Sequence, residues 1–180
     1  MTDVAINPDV PPGVLPDRTC GPCNLCCKVF NFPDLDKPAG KWCQHVEQGK
    51  GCKIYDDRPG FCRTFFCEWR LSPTLGPEWK PDRARFVLST YPGTTALAVT
   101  LDPGAPGAWR KEPYYSQIKE WGRHALVNGS QVMVLSGNRV TIVLPTSDVD
   151  VGVLQTGDKI NVFQTNGTYS VEVERAKPAG

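Results

Sequence analysis

The sequence has almost no excess charge and no long apolar run, and each absence excludes a class of protein. Twenty Lys and Arg residues nearly balance nineteen Asp and Glu residues, so the formal net charge is +1. A nucleic-acid-binding protein normally carries a strong basic excess. No segment approaches the ~18 uninterrupted apolar residues that a membrane span requires. We therefore expect neither nucleic acid nor a membrane among the partners of this chain.

Cysteine is absent from the chain after Cys67. All eight cysteines fall between residues 20 and 67. Such a concentration of thiols indicates either a disulfide framework or a metal site, and the redox compartment decides between them. The eight cysteines follow the spacing Cys20-x2-Cys23-x2-Cys26-Cys27-x15-Cys43-x8-Cys52-x9-Cys62-x4-Cys67.

A secretory signal is also missing from residues 1–19. They read MTDVAINPDVPPGVLPDRT, without the basic start and the apolar stretch of about 7–15 residues of a signal peptide. We therefore expect a cytoplasmic protein whose thiols stay reduced. This favours a metal site, while disulfides remain the alternative if the protein is exported by another route.

Proline and cysteine divide the chain into four segments. Residues 1–17 carry four prolines and few apolar side chains, which is typical of a disordered lead-in. Residues 18–70 hold every cysteine and form a candidate metal-binding lobe. Three prolines indicate an extended connector over residues 71–84. Residues 85–175 alternate strand-like and turn-like stretches and predict a small α+β sheet domain.

This last segment predicts three hairpins and one helix. Strand-like runs over 83–90 and 94–101 flank a Tyr-Pro-Gly turn, and further pairs enclose turns at Gly137-Asn138 and Asn166-Gly167. Residues 113–127 have apolar side chains at helical spacing. The expected fold class is α+β. A cysteine-rich, metal-stapled lobe with short helices comes first, and a small antiparallel sheet with one covering helix follows.

The first four cysteines carry the clearest metal-binding signal. Thiolate sulfur is a soft donor that favours zinc, copper(I) and iron–sulfur centres. A CxxC spacing can fold as a tight turn that aims both sulfurs at one metal, and two such pairs overlap at Cys20, Cys23 and Cys26. The side chains of the vicinal pair Cys26-Cys27 are expected to diverge and to serve different centres or different edges of one cluster. Eight thiols thus favour two metal atoms or a multinuclear centre, unless one of the pair is a buried free thiol.

The segment over residues 51–70 predicts how the last cysteines are placed. Asp57 is expected to cap a helix that has Pro59 in its first turn. Cys62 and Cys67 would point about 140° apart on an unbroken helix. They should therefore not bind the same ion unless the helix bends or ends between them. The aromatic side chains of the segment either cover the site or form the core of the lobe.

His45, two residues after Cys43, is the one candidate ligand that is not a cysteine, although a lone histidine is more often a surface or core residue. No nucleotide-binding loop, serine triad or carboxylate dyad is found, so we assign no catalytic residue and favour a binding role over an enzyme. Basic residues near the cysteines are expected to offset thiolate charge: Arg18, Lys28, Lys53, Arg58 and Arg63.

Four parts of the lobe together match a known pattern: Cys20-x2-Cys23-x2-Cys26-Cys27, Gly51-Cys52-Lys53-Ile54-Tyr55, Arg58-Pro59 and Cys62-Arg63-x2-Phe66-Cys67. Here the chain resembles the bacterial CxxCxxCC cysteine-cluster family, which is described as a zinc- or iron-chelating domain. The resemblance covers about residues 18–70. It implies Zn²⁺ or an iron–sulfur cluster as the cofactor and the following ligands: Cys20, Cys23, Cys26, Cys27, Cys43, Cys52, Cys62 and Cys67.

Two functions are compatible with a cysteine cluster of this kind. In the first, the metal stabilises a lobe that is too small to fold on its own core, and the C-terminal sheet binds a protein partner. In the second, the cluster is the iron–sulfur centre of a redox enzyme or of an enzyme accessory protein. The second function needs an open coordination position or another cofactor site, and the sequence shows neither. We therefore expect a metal-binding protein with a structural or partner-binding role.

Overall fold

The computed structural model describes residues 13–176 and shows a mixed α+β fold. Short 3-10 turns cover Pro33–Leu35, Pro77–Trp79 and Ala108–Arg110. The helices are α1 (Cys26–Val29), α2 (Gly60–Thr64), α3 (Glu68–Leu71), α4 (Pro81–Ala84) and α5 (Tyr114–Val127). The strands are β1 (Val46–Glu47), β2 (Gly51–Cys52), β3 (Phe86–Thr90), β4 (Leu97–Leu101), β5 (Val132–Ser136), β6 (Arg139–Val143), β7 (Asp148–Val153), β8 (Lys159–Thr165) and β9 (Thr168–Glu174).

The centre of the fold is a five-stranded sheet with the strand order β3-β4-β5-β6-β7. Neighbouring strands are antiparallel except for β4 and β5, which run parallel with Val99 opposite Val134. The expectation of an antiparallel sheet was therefore wrong for this pair. The cause is the connection between the two strands, because the chain crosses from β4 to β5 through helix α5, and such a crossover joins parallel strands.

The three predicted hairpins are present. β3 pairs with β4, β5 with β6, and β8 with β9. In the last hairpin Asn166 (φ 50°) and Gly167 (φ 78°) are both left-handed, as a tight two-residue Asn-Gly turn requires. This hairpin forms a two-stranded sheet of its own. Strand β7 was not predicted, and its Val149 and Val151 pack in the same apolar cluster as the β8–β9 hairpin.

Helix α5 covers one face of the central sheet, as residues 113–127 predicted. Its buried Ile118 packs against side chains that alternate along β3 to β6. Gly122 lies so close to the sheet that a Cβ atom there would stand 2.8 Å from the carbonyl oxygen of Val143. A larger residue would therefore push the helix away from the sheet. The core on this face includes Phe86, Leu88, Val99, Leu101, Val132, Val134 and Val143.

The stretch over residues 71–84 is not an extended connector. It contains a 3-10 turn and α4, and Leu75 and Trp79 are buried in the core beside α5. Pro77 and Pro81 are the first residues of these two helical turns. Proline suits that position because its φ is already helical and its missing N–H would have no partner there. The prolines therefore mark helix starts rather than a linker.

The cysteine lobe packs against the opposite face of β3. Val87 is fully buried and packs with Leu25 and Val29 of the lobe, whereas its neighbours Phe86 and Leu88 belong to the α5 core. Further along the sheet, this second face carries the apolar cluster that includes the β8–β9 hairpin. The lobe and the sheet therefore share a core at β3.

A buried ion pair joins α1 to the end of β4. Lys28 Nζ donates a hydrogen bond of 2.6 Å to Oδ1 of Asp102, whose side chain is 1% exposed. Arg85 Nη2 lies 2.5 Å from the other carboxylate oxygen, as an ion pair without the alignment of a hydrogen bond. Burial acts to raise the pKa of Asp102, but hydrogen bonds from Lys28 and the Gly104 amide, with the charge of Arg85, outweigh it and lower the pKa.

Most of the predicted lead-in over residues 1–17 lies outside the described residues. Residues 13–17 are described and contact the lobe. Val14 is buried, and the amide of Leu15 donates a hydrogen bond of 2.9 Å to the carbonyl of Arg70. Over residues 13–176, none of the helices is both long enough and apolar enough to span a bilayer.

Replacing Asp102 with Asn should destabilise the protein by about 2–4 kcal/mol at pH 7, because Lys28 keeps its charge in a largely buried place without a counter-ion. A lowered pKa means that the stabilisation by Asp102 is present above the ordinary aspartate pKa and is lost as the pH falls through the folded-state pKa. The difference between wild type and D102N in urea unfolding should therefore shrink below about pH 4.

The matched control for this experiment is Asp150→Asn, which removes the exposed pair between Asp150 and Arg139. Exposed pairs contribute little, so this variant should lose less than about 1 kcal/mol. Equal losses in the two variants would contradict a special role for Asp102.

Candidate metal centre

All eight cysteines line one cavity, which lies within the lobe and reaches β3 at Val87. They come from the loop before α1, from α1 itself, from the region of β1 and β2, and from the segment around α2 and α3. All are free thiols, of which Cys43 is buried and the others are half-buried. The open space is about 100 Å³, whereas a site for one water needs only ~10–15 Å³. The cavity therefore has room for more than one metal ion.

Four of the thiols belong to segments that Arg70 holds together, and we call them the Arg70 group. The amide of Cys23 donates a hydrogen bond of 2.7 Å to the carbonyl of Cys20, which forms the predicted CxxC turn. Arg70 follows Cys67 in α3, and its Nη1 donates a hydrogen bond of 3.7 Å to Sγ of Cys20. Cys26 and Cys67 pack against the same apolar contact between lobe and sheet. The Arg70 group is Cys20, Cys23, Cys26 and Cys67.

The other four thiols gather around the small hairpin of β1 and β2, and we call them the hairpin group. The amide of Cys43 donates a hydrogen bond of 3.0 Å to the carbonyl of Cys27, and the amide of Val46 donates one of 3.1 Å to the carbonyl of Cys43. Val46 is in turn paired with Cys52. Burial raises the pKa of Cys62, and the charges of the other three thiols raise it further. The hairpin group is Cys27, Cys43, Cys52 and Cys62.

The vicinal thiols Cys26 and Cys27 lie side by side, at the boundary between the two groups. Their Sγ atoms are 4.0 Å apart, so they do not diverge as the sequence suggested. Both residues lie in the single turn of α1, where successive side chains are about 100° apart rather than on opposite sides of the chain. The edge of a zinc–thiolate tetrahedron is ~3.8 Å for bonds of 2.3 Å. The distance alone thus allows either one shared ion or two neighbouring ions.

A break in the helical segment separates Cys62 from Cys67. α2 ends at Thr64 and α3 begins at Glu68, and the residues that flank the break, Phe65 and Cys67, are extended. The orientation expected for an unbroken helix therefore does not apply. Cys62 belongs to α2 and the hairpin group, whereas Cys67 is the residue before α3 and belongs to the Arg70 group.

Asp57 does not cap α2, contrary to the sequence prediction. The helix begins at Gly60, so that Pro59, in an extended conformation, occupies the N-cap position. Among the described residues, no side chain caps this helix. Asp57 instead takes part in a tight turn, in which its amide donates a hydrogen bond of 3.0 Å to the carbonyl of Ile54. The turn leaves Asp57 two residues before the N-cap position.

Two cations near the thiols were not recognised from the sequence. Lys37 is only 4% exposed, and its Nζ donates hydrogen bonds to the carbonyls of Lys28 and Phe30. Burial lowers the pKa of Lys37, while the charges of nearby thiols, Cys27 first, act in the opposite direction. Arg70 contacts Cys20, as described above. No local pattern indicates that either side chain points inward, because both depend on contacts that are distant in sequence.

The basic residues that the sequence did single out have mostly other partners. Arg58 lines the cavity. It also lies over the ring of Tyr55 at 3.5 Å, and its buried Nε has no hydrogen-bond partner within the described residues. Lys53 is exposed. Arg18 donates hydrogen bonds to the backbone carbonyls of Trp69, Ser72 and Leu75, and Arg63 donates to the backbone carbonyls of Asp56 and Arg58. Lys28 donates to the side-chain carboxylate of Asp102.

Aromatic rings form the outer wall of the cavity. Phe61 and Phe65 stack with ring centroids 5.8 Å apart, and Phe32 lies 5.4 Å from Phe61. Phe61 is 47% exposed, so these rings stand between the thiols and solvent rather than in the centre of a core. Such a wall limits the access of water and strengthens electrostatic interactions inside.

Burial makes several of the thiols difficult to ionise. It raises the pKa of Cys23 to about 12, with the charge of Asp82 adding to the effect, and it raises the pKa of Cys67 to about 11. A metal binds the thiolate form, so binding at these residues must displace protons. Metal affinity should therefore fall as the pH is lowered.

Cys27 is the exception. Its hydrogen bond with the Cys26 thiol is the largest influence and lowers the pKa of Cys27 to about 7, against the effect of burial and with help from the charges of Lys37 and Arg58. The same hydrogen bond, together with burial, raises the pKa of Cys26. Near neutral pH about half of Cys27 is therefore thiolate, which accepts a hydrogen bond from the protonated Cys26 thiol.

Across residues 13–176, no group of three or more His, Cys, Asp or Glu side chains is already arranged so that it could hold a metal ion. The thiols surround a common space without closing on one point. Their chemistry nevertheless fits a soft metal, and the neighbouring cations fit a cluster of thiolates. His45 lines the same cavity and is a further candidate donor.

No protein-family model, no curated protein and no solved structure matches this chain. The resemblance to the CxxCxxCC family therefore depends on the cysteine pattern of residues 18–70. The role of the cavity has to be argued from its own residues.

Iodoacetamide should modify Cys27 first in folded, metal-free protein. At pH 7 about half of Cys27 is thiolate, whereas Cys23 and Cys67 stay protonated, and the thiolate is the nucleophile. Peptide mass spectrometry after a short pulse should find label on Cys27 and almost none on Cys23. Cys26→Ala should slow the labelling of Cys27 at pH 7, and Cys52→Ala should not. Equal labelling of Cys23 and Cys27 in the wild type would contradict this assignment.

Proposed function

We propose that this chain is a metal-binding protein that holds zinc or an iron–sulfur centre through its cysteine cluster, in a structural or partner-binding role. The observation that carries the proposal is the convergence of all eight cysteines on one cavity, although they come from separate segments of the lobe. The cytoplasm is the compartment that suits eight free thiols. The ligands are Cys20, Cys23, Cys26, Cys27, Cys43, Cys52, Cys62 and Cys67.

Buried Lys37 supports a charged cluster rather than eight neutral thiols. Its ammonium group donates to two backbone carbonyls and forms no ion pair with a carboxylate of the described residues. A buried ammonium group without a counter-ion is costly. The thiols Cys27, Cys43, Cys26 and Cys62 are the groups whose negative charge acts on Lys37. A metal–thiolate cluster would supply that charge permanently.

The small core of the lobe supports a structural role for the metal. Leu25 and Val29 pack mainly against Val87, which belongs to the sheet, and the strands β1 and β2 have two residues each. A segment of about 50 residues with so little burial is marginal on its own. Structural zinc contributes about 10–16 kcal/mol to the folding of small zinc-binding peptides. The metal would thus replace the missing core.

A protein partner would bind the C-terminal part of the chain. Val153 on β7 and Phe163 on β8 are 43% and 46% exposed, respectively, and such apolar side chains are suited to an interface. The alternative role, an iron–sulfur redox enzyme or an enzyme accessory protein, shares the same eight ligands. Metal identity separates the two functions.

Protein purified under argon should contain two or more metal ions per chain by elemental analysis, because eight thiols are twice the number that one tetrahedral ion accepts. Colourless protein with stoichiometric zinc would support the structural role. A brown protein with iron and inorganic sulfide would support the redox alternative. Metal-free protein with eight thiols that react freely under native conditions would contradict metal binding altogether.

Removal of the metal should open the lobe but leave most of the sheet folded. In hydrogen exchange, chelation should abolish protection of the Cys43 amide and its neighbours over residues 20–67. The amides of β5 and β6 should stay protected because, among the described residues of the lobe, only Trp69 packs against their core on the α5 face. β3 should lose part of its protection, since Val87 packs against the lobe. Re-addition of metal is the control and should restore the amide protection of both the lobe and β3.

A further inference from the structure

We propose that the cysteine cluster consists of two separate four-thiolate sites, each holding one tetrahedral divalent metal ion, and that the boundary between them runs between Cys26 and Cys27. This inference deepens the proposed function and depends on it. One site is formed by the Arg70 group and the other by the hairpin group, as defined above. Four thiolates are the usual complete ligand set of a structural zinc ion.

The Arg70 group is held together by backbone and side-chain contacts that do not involve the β1–β2 hairpin. The CxxC turn places Cys20 and Cys23 together. Arg70 brings the start of α3 to that turn, because its Nη1 contacts Cys20 Sγ, its Nε donates a hydrogen bond of 2.9 Å to the carbonyl of Arg18, and its amide donates one of 2.8 Å to the carbonyl of Cys67. Cys26 completes the group through its contact with the same apolar cluster as Cys67.

The hairpin group is linked in the same way by a different chain of contacts. Backbone hydrogen bonds lead from Cys27 to Cys43 and on to Val46, and strand pairing leads from Val46 to Cys52. The contact between the rings of Phe32 and Phe61 holds the start of α2 beside this group. None of these contacts requires a residue of the Arg70 group.

Cations lie near both groups. Arg70 contacts Cys20 of the Arg70 group, Arg58 acts on Cys27 of the hairpin group, and Lys37 lies near thiols of both, Cys27 and Cys26 among them. A divalent ion with four thiolates carries a formal charge of −2, so each site needs its own nearby cations. Both groups have such cations beside them.

Paired substitutions test the division. Cys23→Ser with Cys67→Ser removes two ligands from the first site, and Cys52→Ser with Cys62→Ser removes two from the second. Each double variant should bind one Co²⁺ or Zn²⁺ per chain instead of two. Its sulfur-to-cobalt charge-transfer absorption should fall to about half, because four of the eight thiolate–metal bonds remain. Loss of both ions in either variant would show one shared cluster and overturn the division. His124→Ala, on the exposed side of α5 and outside the cavity lining, is the control and should keep two ions.

A second measurement uses the wild type, so it does not depend on the folding of a variant. Protein loaded with two zinc ions is stripped of one ion by limiting chelator and is then pulsed with an alkylating reagent. Two separate sites predict chains in which four thiols are labelled together, and these four are either the whole Arg70 group or the whole hairpin group. Labelled sets that mix the groups would overturn the division.

The failure of this inference and the failure of the proposed function are distinguishable. Wild-type protein that binds no metal under argon would defeat both. Wild-type protein that binds two or more metal atoms with mixed labelling, or that carries one iron–sulfur cluster, would leave the proposed function standing and defeat the division alone.

Discussion

Strand β3 is packed on both faces, and the cysteine lobe depends on this arrangement. Phe86 and Leu88 belong to the core beneath α5, while Val87, between them, supplies the apolar contact for the lobe. The ion pair of Lys28 with Asp102 adds a polar contact between lobe and sheet. Because Val87 also lines the thiol cavity, one wall of the candidate metal centre belongs to the sheet. The cysteine-bearing segment is therefore not a self-contained module, even though its motif ends before β3.

Much of the sheet could be predicted because its signals are local. The Asn166-Gly167 turn fixes its hairpin through two left-handed residues, and α5 follows from apolar spacing within one segment. The parallel pairing of β4 with β5 could not be predicted in the same way, since it depends on where α5 packs. Pro77 and Pro81 did not allow a correct prediction of their segment, which was expected to be an extended connector. Proline interrupts regular structure, but it also suits the first turn of a helix, and both residues occupy that position here.

At the candidate site too, features set by residues close in sequence could be predicted, and features set by residues distant in sequence could not. The CxxC turn was predictable from spacing alone. The partners of the thiols were not, because Lys37 reaches the cavity through the fold of the loop after α1, and Arg70 reaches Cys20 across 50 residues of sequence. Proximity in sequence to a cysteine turned out to be a poor guide to charge compensation. Lys28 is adjacent to Cys27 and yet turns to Asp102.

Helix α1 explains how one short segment can serve both thiol groups and the sheet. Its four residues span about one turn, so successive side chains leave the axis about 100° apart and point in four directions. Cys26 packs against the apolar cluster at β3, and Val29 is buried against Val87. The carbonyl of Cys27 accepts a hydrogen bond from the Cys43 amide, and the side chain of Lys28 pairs with Asp102. Because the four residues share one short helix, each contact restrains the rotation of the whole helix about its axis. A metal ion bound at Cys26 or Cys27, as proposed above, would therefore also fix the contact between the lobe and the sheet. Under the proposed function, this coupling would make the sheet part of the centre and the centre part of what holds the lobe.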